Sequence, residues 1–72
     1  MLKQGTVVRV DFKSNTGIIK DKKGKEFFFS VEDCKNLTLP KLYTSVSFYR
    51  DQDYKNTDVA IYIASEDTRH AS

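Results

Sequence analysis

Cysteine and histidine each occur once in the 72 residues. With Cys34 alone, no internal disulfide can form, and thiolates cannot build a metal cluster. His70 stands near the end of the chain, so no Cys–His or Ser–His pair for nucleophilic catalysis can be argued. Asp51, Asp53 and Asp58 only superficially suggest a calcium loop. The loop's glycine is replaced by Asn56, and Tyr62 stands where its bidentate acid belongs. The expectation is therefore a binding protein rather than an enzyme, with neither metal nor cofactor. No apolar run approaches the roughly 20 residues of a membrane span, and the opening residues Met1 to Thr6 lack the apolar stretch of a signal peptide. These shortages favour a reducing, cytoplasmic setting. Without a secretory signal, the glycosylation sequon Asn36-Leu37-Thr38 reads as chance.

A chain this short buries only about 60% of the surface its unfolded form exposes. It holds one small core, with neither a second domain nor a large catalytic cleft. The net charge of +2 says little, but its distribution says more. Residues 1–25 carry seven basic and two acidic side chains, a net +5; residues 26–72 carry five basic and eight acidic, a net −3. That asymmetry suggests one positive face, although a solvated surface can reach it by accident.

The punctuation is that of an all-β protein. Thr6 to Phe12 alternates, with Val8, Val10 and Phe12 on one side and Val7, Arg9 and Asp11 on the other. Ser14-Asn15-Thr16-Gly17 is turn chemistry, in which Asn15 and Gly17 can take positive φ. Ile18 to Lys20 is a second strand. Asp21-Lys22-Lys23-Gly24 is a turn with Gly24 at the left-handed position, and Lys25 to Val31 is a third strand. Ser30 resembles a helix cap ahead of Glu32 and Asp33, with space for a turn or two before Pro40. Ser45 to Arg50 and Val59 to Ile63 complete the set, leaving a polar tail from Ala64 that frays. Five short strands with a break after the third fit a closed barrel better than an open sheet, because closure removes exposed edges. The five-stranded Greek-key OB-fold has this strand number and size.

The most informative stretch runs from Gly17 to Ser30, where a lysine-rich turn separates Ile18-Ile19 from three consecutive phenylalanines. Neighbouring strand residues face opposite ways. Phe27 and Phe29 therefore belong to the core, with Val7, Ile19, Val46, Ile61 and Ile63, while Phe28 stands outside beside lysines. An exposed ring among basic residues can stack on a nucleotide base; it can also serve merely to cover its cross-strand neighbours.

From about Met1 to Ile63 the chain resembles the bacterial cold-shock proteins and the related cold-shock domain. The resemblance rests on Gly5-Thr6-Val7, Asn15-Thr16-Gly17-Ile18-Ile19, Phe27-Phe28-Phe29-Ser30, Val46-Ser47-Phe48 and Ala60. It implies an OB barrel that binds single-stranded RNA or DNA on an aromatic face carried by strands one to three. The family's Lys-Gly-Phe-Gly-Phe motif falls on Ser14-Asn15-Thr16-Gly17-Ile18, which puts Thr16 and Ile18 where its stacking rings stand. The exposed Phe, His and Phe of its second motif fall on Phe28, Ser30 and Val31, and its strand-one Trp-Phe pair falls on Arg9-Val10. Of that platform, Phe28 alone keeps its ring. Tyr43 falls on a common glycine, so a turn there is expected to differ.

Each stacked base contributes roughly 1–3 kcal/mol, so binding is expected to be weak and of low sequence preference. Arg9 can restore some of it, since a guanidinium also stacks on bases; its structural alternative is an ion pair with Glu26 or Asp11. Ile18 can pack against a base without a π system. The expected interface is Lys3, Arg9, Lys13, Ile18, Lys20, Lys22, Lys25, Phe28 and Ser30, with the lysines on phosphates. About four such contacts would make log affinity fall against log salt with a slope of about −3. A rival expectation is a protein-interaction module that kept the barrel and lost this face. Its patch would lie around Tyr49 and Tyr62, two of four tyrosines that also include Tyr43 and Tyr54. A monomer is expected. Cys34 is expected to be a small buried apolar residue rather than a reactive thiol.

Overall fold

The computed structural model describes residues 2–51 and 58–65. Asp53, Tyr54, Asn56, His70 and the polar tail beyond Ser65 lie outside the described residues. Five strands form: β1 Leu2–Asp11, β2 Thr16–Asp21, β3 Glu26–Ser30, β4 Ser45–Arg50 and β5 Ala60–Ser65. All sheet pairings are antiparallel, in the order β3-β2-β1-β4-β5. The sheet curls until its two edges meet. Phe28 and Val59 form a parallel bridge, and the Phe28 N–H donates to the Asp58 carbonyl at 2.9 Å. The result is the all-β, five-stranded barrel of OB type expected from the sequence.

Alternation builds the core. Val7, Ile19, Phe27, Phe29, Val46 and Phe48 are fully buried, joined by Ala60, Ile63 and Cys34, while Val10 and Leu39 pack against them. Phe27 and Phe48 meet with ring centroids 5.0 Å apart. Gly17 lies extended in β2, contrary to the positive φ considered for it. Its role is close approach: a Cβ there would come within 2.5 Å of the Arg9 carbonyl oxygen and the Phe29 ring. Gly24 takes the left-handed position of the β2–β3 turn (φ 84°) and Asn15 that of the β1–β2 turn (φ 58°).

Two bulges override simple alternation. One falls between Val7 and Arg9, so Val7 points inward, Arg9 outward, and Val10 returns to the core. The other lies opposite Ser47–Tyr49. It contains Tyr62 at φ 54°, and it separates Ile63, which is buried, from Ile61, which pairs with the exposed Tyr49. Ile61 is accordingly half-buried on the outside and not part of the core. Strand limits also move. β1 begins at Leu2 rather than Thr6 and stops at Asp11, leaving Phe12 in the turn, while β5 continues to Ser65. Between β3 and β4 run two single 3-10 turns, Val31–Asp33 and Lys35–Leu37; Ser30 caps the first by accepting from the Glu32 N–H at 3.1 Å.

Candidate functional site

The outer face of β1, β2 and β3 is organised in cross-strand rows. Arg9 lies opposite Ile18, and Ile18 opposite Phe28. With strands about 4.8 Å apart, this row places a guanidinium, an aliphatic side chain and a ring across about 10 Å of sheet. Arg9 is exposed, Ile18 half-buried, and Phe28 keeps 47% of its surface open. One row toward the β1–β2 turn lie Asp11, Thr16 and Ser30; toward the other end lie Thr6, Lys20 and Glu26.

The ion pairs considered for Arg9 do not form. Glu26 instead pairs with Lys20, Nζ to Oε2 3.8 Å. The Asp11 carboxylate is taken up by backbone, accepting from the N–H groups of Lys13 (2.9 Å) and Ser14 (3.4 Å). Among the described residues Arg9 makes no ion pair, which leaves its guanidinium plane available above the sheet.

The lysines divide. Lys13 stands exposed on the β1–β2 turn, and Lys22 and Lys23 on the β2–β3 turn, with no ion pair among the described residues. Lys3 and Lys25 are not on the same face as Arg9. Lys3 pairs with the buried Phe48 and so points to the inner side, where its Nζ stands 5.8 Å from the Phe27 centroid. Lys25 comes equally close to that ring, at 5.8 Å, and pairs with Asp58 at 3.5 Å. Both ammoniums lie at the open end of the barrel, because the period of two assigns Lys3 to the face of Gly5 and Val7. Ser30 is on the outer face beside Thr16, but its hydroxyl oxygen already serves as a cap.

The β2–β3 turn is fixed by Asp21, whose carboxylate accepts from the N–H groups of Lys23 and Lys25, both at 2.9 Å. These bonds, chiefly the one from Lys25, hold its pKa below the ordinary carboxylate value, with help from the charges of Lys3 and Lys23. A shallow depression of about 310 Å³, lined by Leu2, Lys3, Gln4 and Asp21 to Lys23, lies beside this turn and away from the Arg9–Phe28 row. Stacking on an open sheet face needs no pocket, and none of the row's residues lines this depression.

Cys34 is 6% exposed, and burial, aided by the charge of Asp33, pushes its thiol up to about 11. At neutral pH it is a protonated core residue, the small buried side chain expected of it. No group of His, Cys, Asp and Glu side chains among the described residues is placed to hold a metal ion. No helix among them is long and apolar enough to cross a membrane.

On the outside of β4 and β5, Tyr49 and Tyr62 meet edge to face at 6.1 Å. Tyr62 is 73% exposed, and Leu2, directly across from Tyr49, is also exposed. Phe12 escaped the sequence reading. Treated as the end of a strand, it is instead 75% exposed at the start of the β1–β2 turn. Its signal was an aromatic set between the turn formers Asp11 and Ser14-Asn15. No protein-family model matches the chain, and no curated protein matches it.

Proposed function

We propose that this chain binds single-stranded nucleic acid, weakly and with little sequence preference, on the outer face of β1 to β3, as a divergent relative of the cold-shock proteins. The observation that carries the reading is the row Arg9–Ile18–Phe28, open to solvent, with Arg9 uncommitted among the described residues. Bases would lie against the Phe28 ring, the Ile18 side chain and the Arg9 guanidinium plane. Phosphates would meet Lys13, Lys20 and Lys22, lysine supplying charge without base discrimination. The protein acts by binding, without catalysis, and a monomer in the cytoplasm suits it. With Lys3 and Lys25 facing the barrel end, about three phosphate contacts remain, and the salt slope becomes about −2. The test is a titration of heptathymidine and heptauridine at low salt, followed by NMR shifts and by affinity against salt. Shifts should centre on Arg9, Ile18 and Phe28. A chain that leaves these signals unmoved at millimolar oligonucleotide does not have this function.

A second reading, a protein-interaction module, draws on the Tyr49–Tyr62 contact. A bulky residue at positive φ is costly, and Tyr62 adopts it while leaving its ring in solvent. Backbone strain of this kind collects at functional sites. Affinity capture compares the native chain with Tyr49→Ala and Tyr62→Ala. Partners lost from both variants support the patch; retention of every partner by both rules it out.

A further inference from the structure

We infer that Phe12, with Lys13 beside it, forms a second base-stacking position that extends the nucleic-acid face onto the β1–β2 turn. The inference rests on the binding function proposed above and adds a residue that neither the strand pattern nor the family motifs point to.

Phe12 has no evident structural duty. It is 75% exposed and packs into no part of the buried core. Its ring is a large apolar surface on a turn otherwise made of Asp11, Lys13, Ser14 and Asn15, more than solubility calls for there. The turn is nevertheless built firmly around it. Asp11 accepts from the backbone of Lys13 and Ser14, the hydroxyls of Ser14 and Thr16 are 2.7 Å apart, and Asn15 holds the left-handed conformation that closes the turn. Phe12 therefore leaves a backbone fixed on both sides, which lowers the entropy lost when its ring is covered. Phe12 follows Arg9 by three residues, just past the end of β1, so their backbones lie within about 10 Å of each other. A nucleic-acid strand that crosses Phe28, Ile18 and Arg9 and then turns along β1 would reach it with its next bases. Lys13 adds a charge for the accompanying phosphate, while the Asp11 carboxylate is occupied by backbone donors. In five-stranded barrels of this kind the β1–β2 loop borders the oligonucleotide face, and here it carries the most exposed phenylalanine among the described residues.

The chain has no tryptophan, so Phe12→Trp places a single fluorescent reporter at this position. Heptathymidine is titrated into the native chain, Phe12→Ala, Phe28→Ala and Phe12→Trp at low salt. The native chain should bind, and Phe12→Ala should weaken binding between about fivefold and a hundredfold, the range that one stacked base supplies. The emission of Phe12→Trp should be quenched in step with binding, and the melting temperature of Phe12→Ala should match that of the native chain. If the native chain binds and Phe28→Ala weakens it, while Phe12→Ala does not and Phe12→Trp is not quenched, the second position is refuted and the first stands. If the native chain does not bind, both fall. Light scattering covers the other occupant: a dimer that becomes monomeric on Phe12→Ala with oligonucleotide affinity unchanged would assign the ring to a second copy and overturn the inference.

Discussion

Tyr43 holds the left-handed backbone (φ 65°) where the cold-shock pattern commonly has glycine. The turn was expected to differ, yet this residue adopts the conformation that glycine would supply. Its N–H donates to the Val7 carbonyl, and the Val7 N–H donates to Thr44 at 3.0 Å, so the segment is tied to β1. An L-residue in this region costs roughly 1–2 kcal/mol, and the ring, 75% exposed, offers little burial in return. Tyr43→Gly should therefore stabilise the fold by about 1 kcal/mol, after allowing for glycine's greater freedom when unfolded. Urea denaturation reads this as a higher midpoint at unchanged slope. A lower midpoint would mean that the tyrosine ring contributes more than its exposure indicates.

At the scale of elements, the sequence made the strands legible where apolar residues alternated with polar ones, as in Ser45–Arg50, and the turns where Gly24 and Asn15 punctuated them. Ser30 was readable as a cap because a hydroxyl followed by acidic residues satisfies free N–H groups in few other ways. The two bulges were not legible. Nothing in Val7-Val8-Arg9 or Ile61-Tyr62-Ile63 announces an extra residue, since valine, isoleucine and tyrosine are ordinary strand formers. Yet each bulge exchanges inside for outside. The first delivers Arg9 to the same face as Phe28, and the second takes Ile61 out of the core. The lysines were legible as charge but not as direction: Lys3 resembles Lys20 in sequence and differs in the face that register gives it, and Lys25, unlike Lys22, is drawn to Asp58. Phe12 was hidden for a related reason, because a phenylalanine at the end of an alternating run reads as its last member.

For the molecule as a whole, Asp58 is where the barrel is drawn shut. Its carbonyl accepts from Phe28, and its carboxylate sits between Lys25 Nζ at 3.5 Å and Arg50 Nε at 3.2 Å. The Arg50 contact is an ion pair without hydrogen-bond alignment, and that buried Nε has no other partner. Asp58 is partly exposed, so the charges act through a screened medium. Asp58→Asn should cost about 1 kcal/mol and lower the melting temperature by about 5 °C, less at high salt. Lys25 still faces the barrel end beside the Phe27 ring, so under the proposed function the salt slope should stay at about −2. An unchanged melting temperature at low salt would show that the backbone bridge closes the barrel without help from the charges.

The closing bridge also sets an order of events. Phe28 and Asp58 are far apart in the chain, and contacts of such separation are slow to form because a long loop must close first. Until they form, β3 offers its free edge to solvent with Phe27, Phe28 and Phe29 in line, a short, aromatic, proline-free strand of the kind that pairs with copies of itself. The strand that carries Phe28, the ring of the proposed nucleic-acid face, is thus also an aggregation hazard, and its closure against the β5 edge covers it.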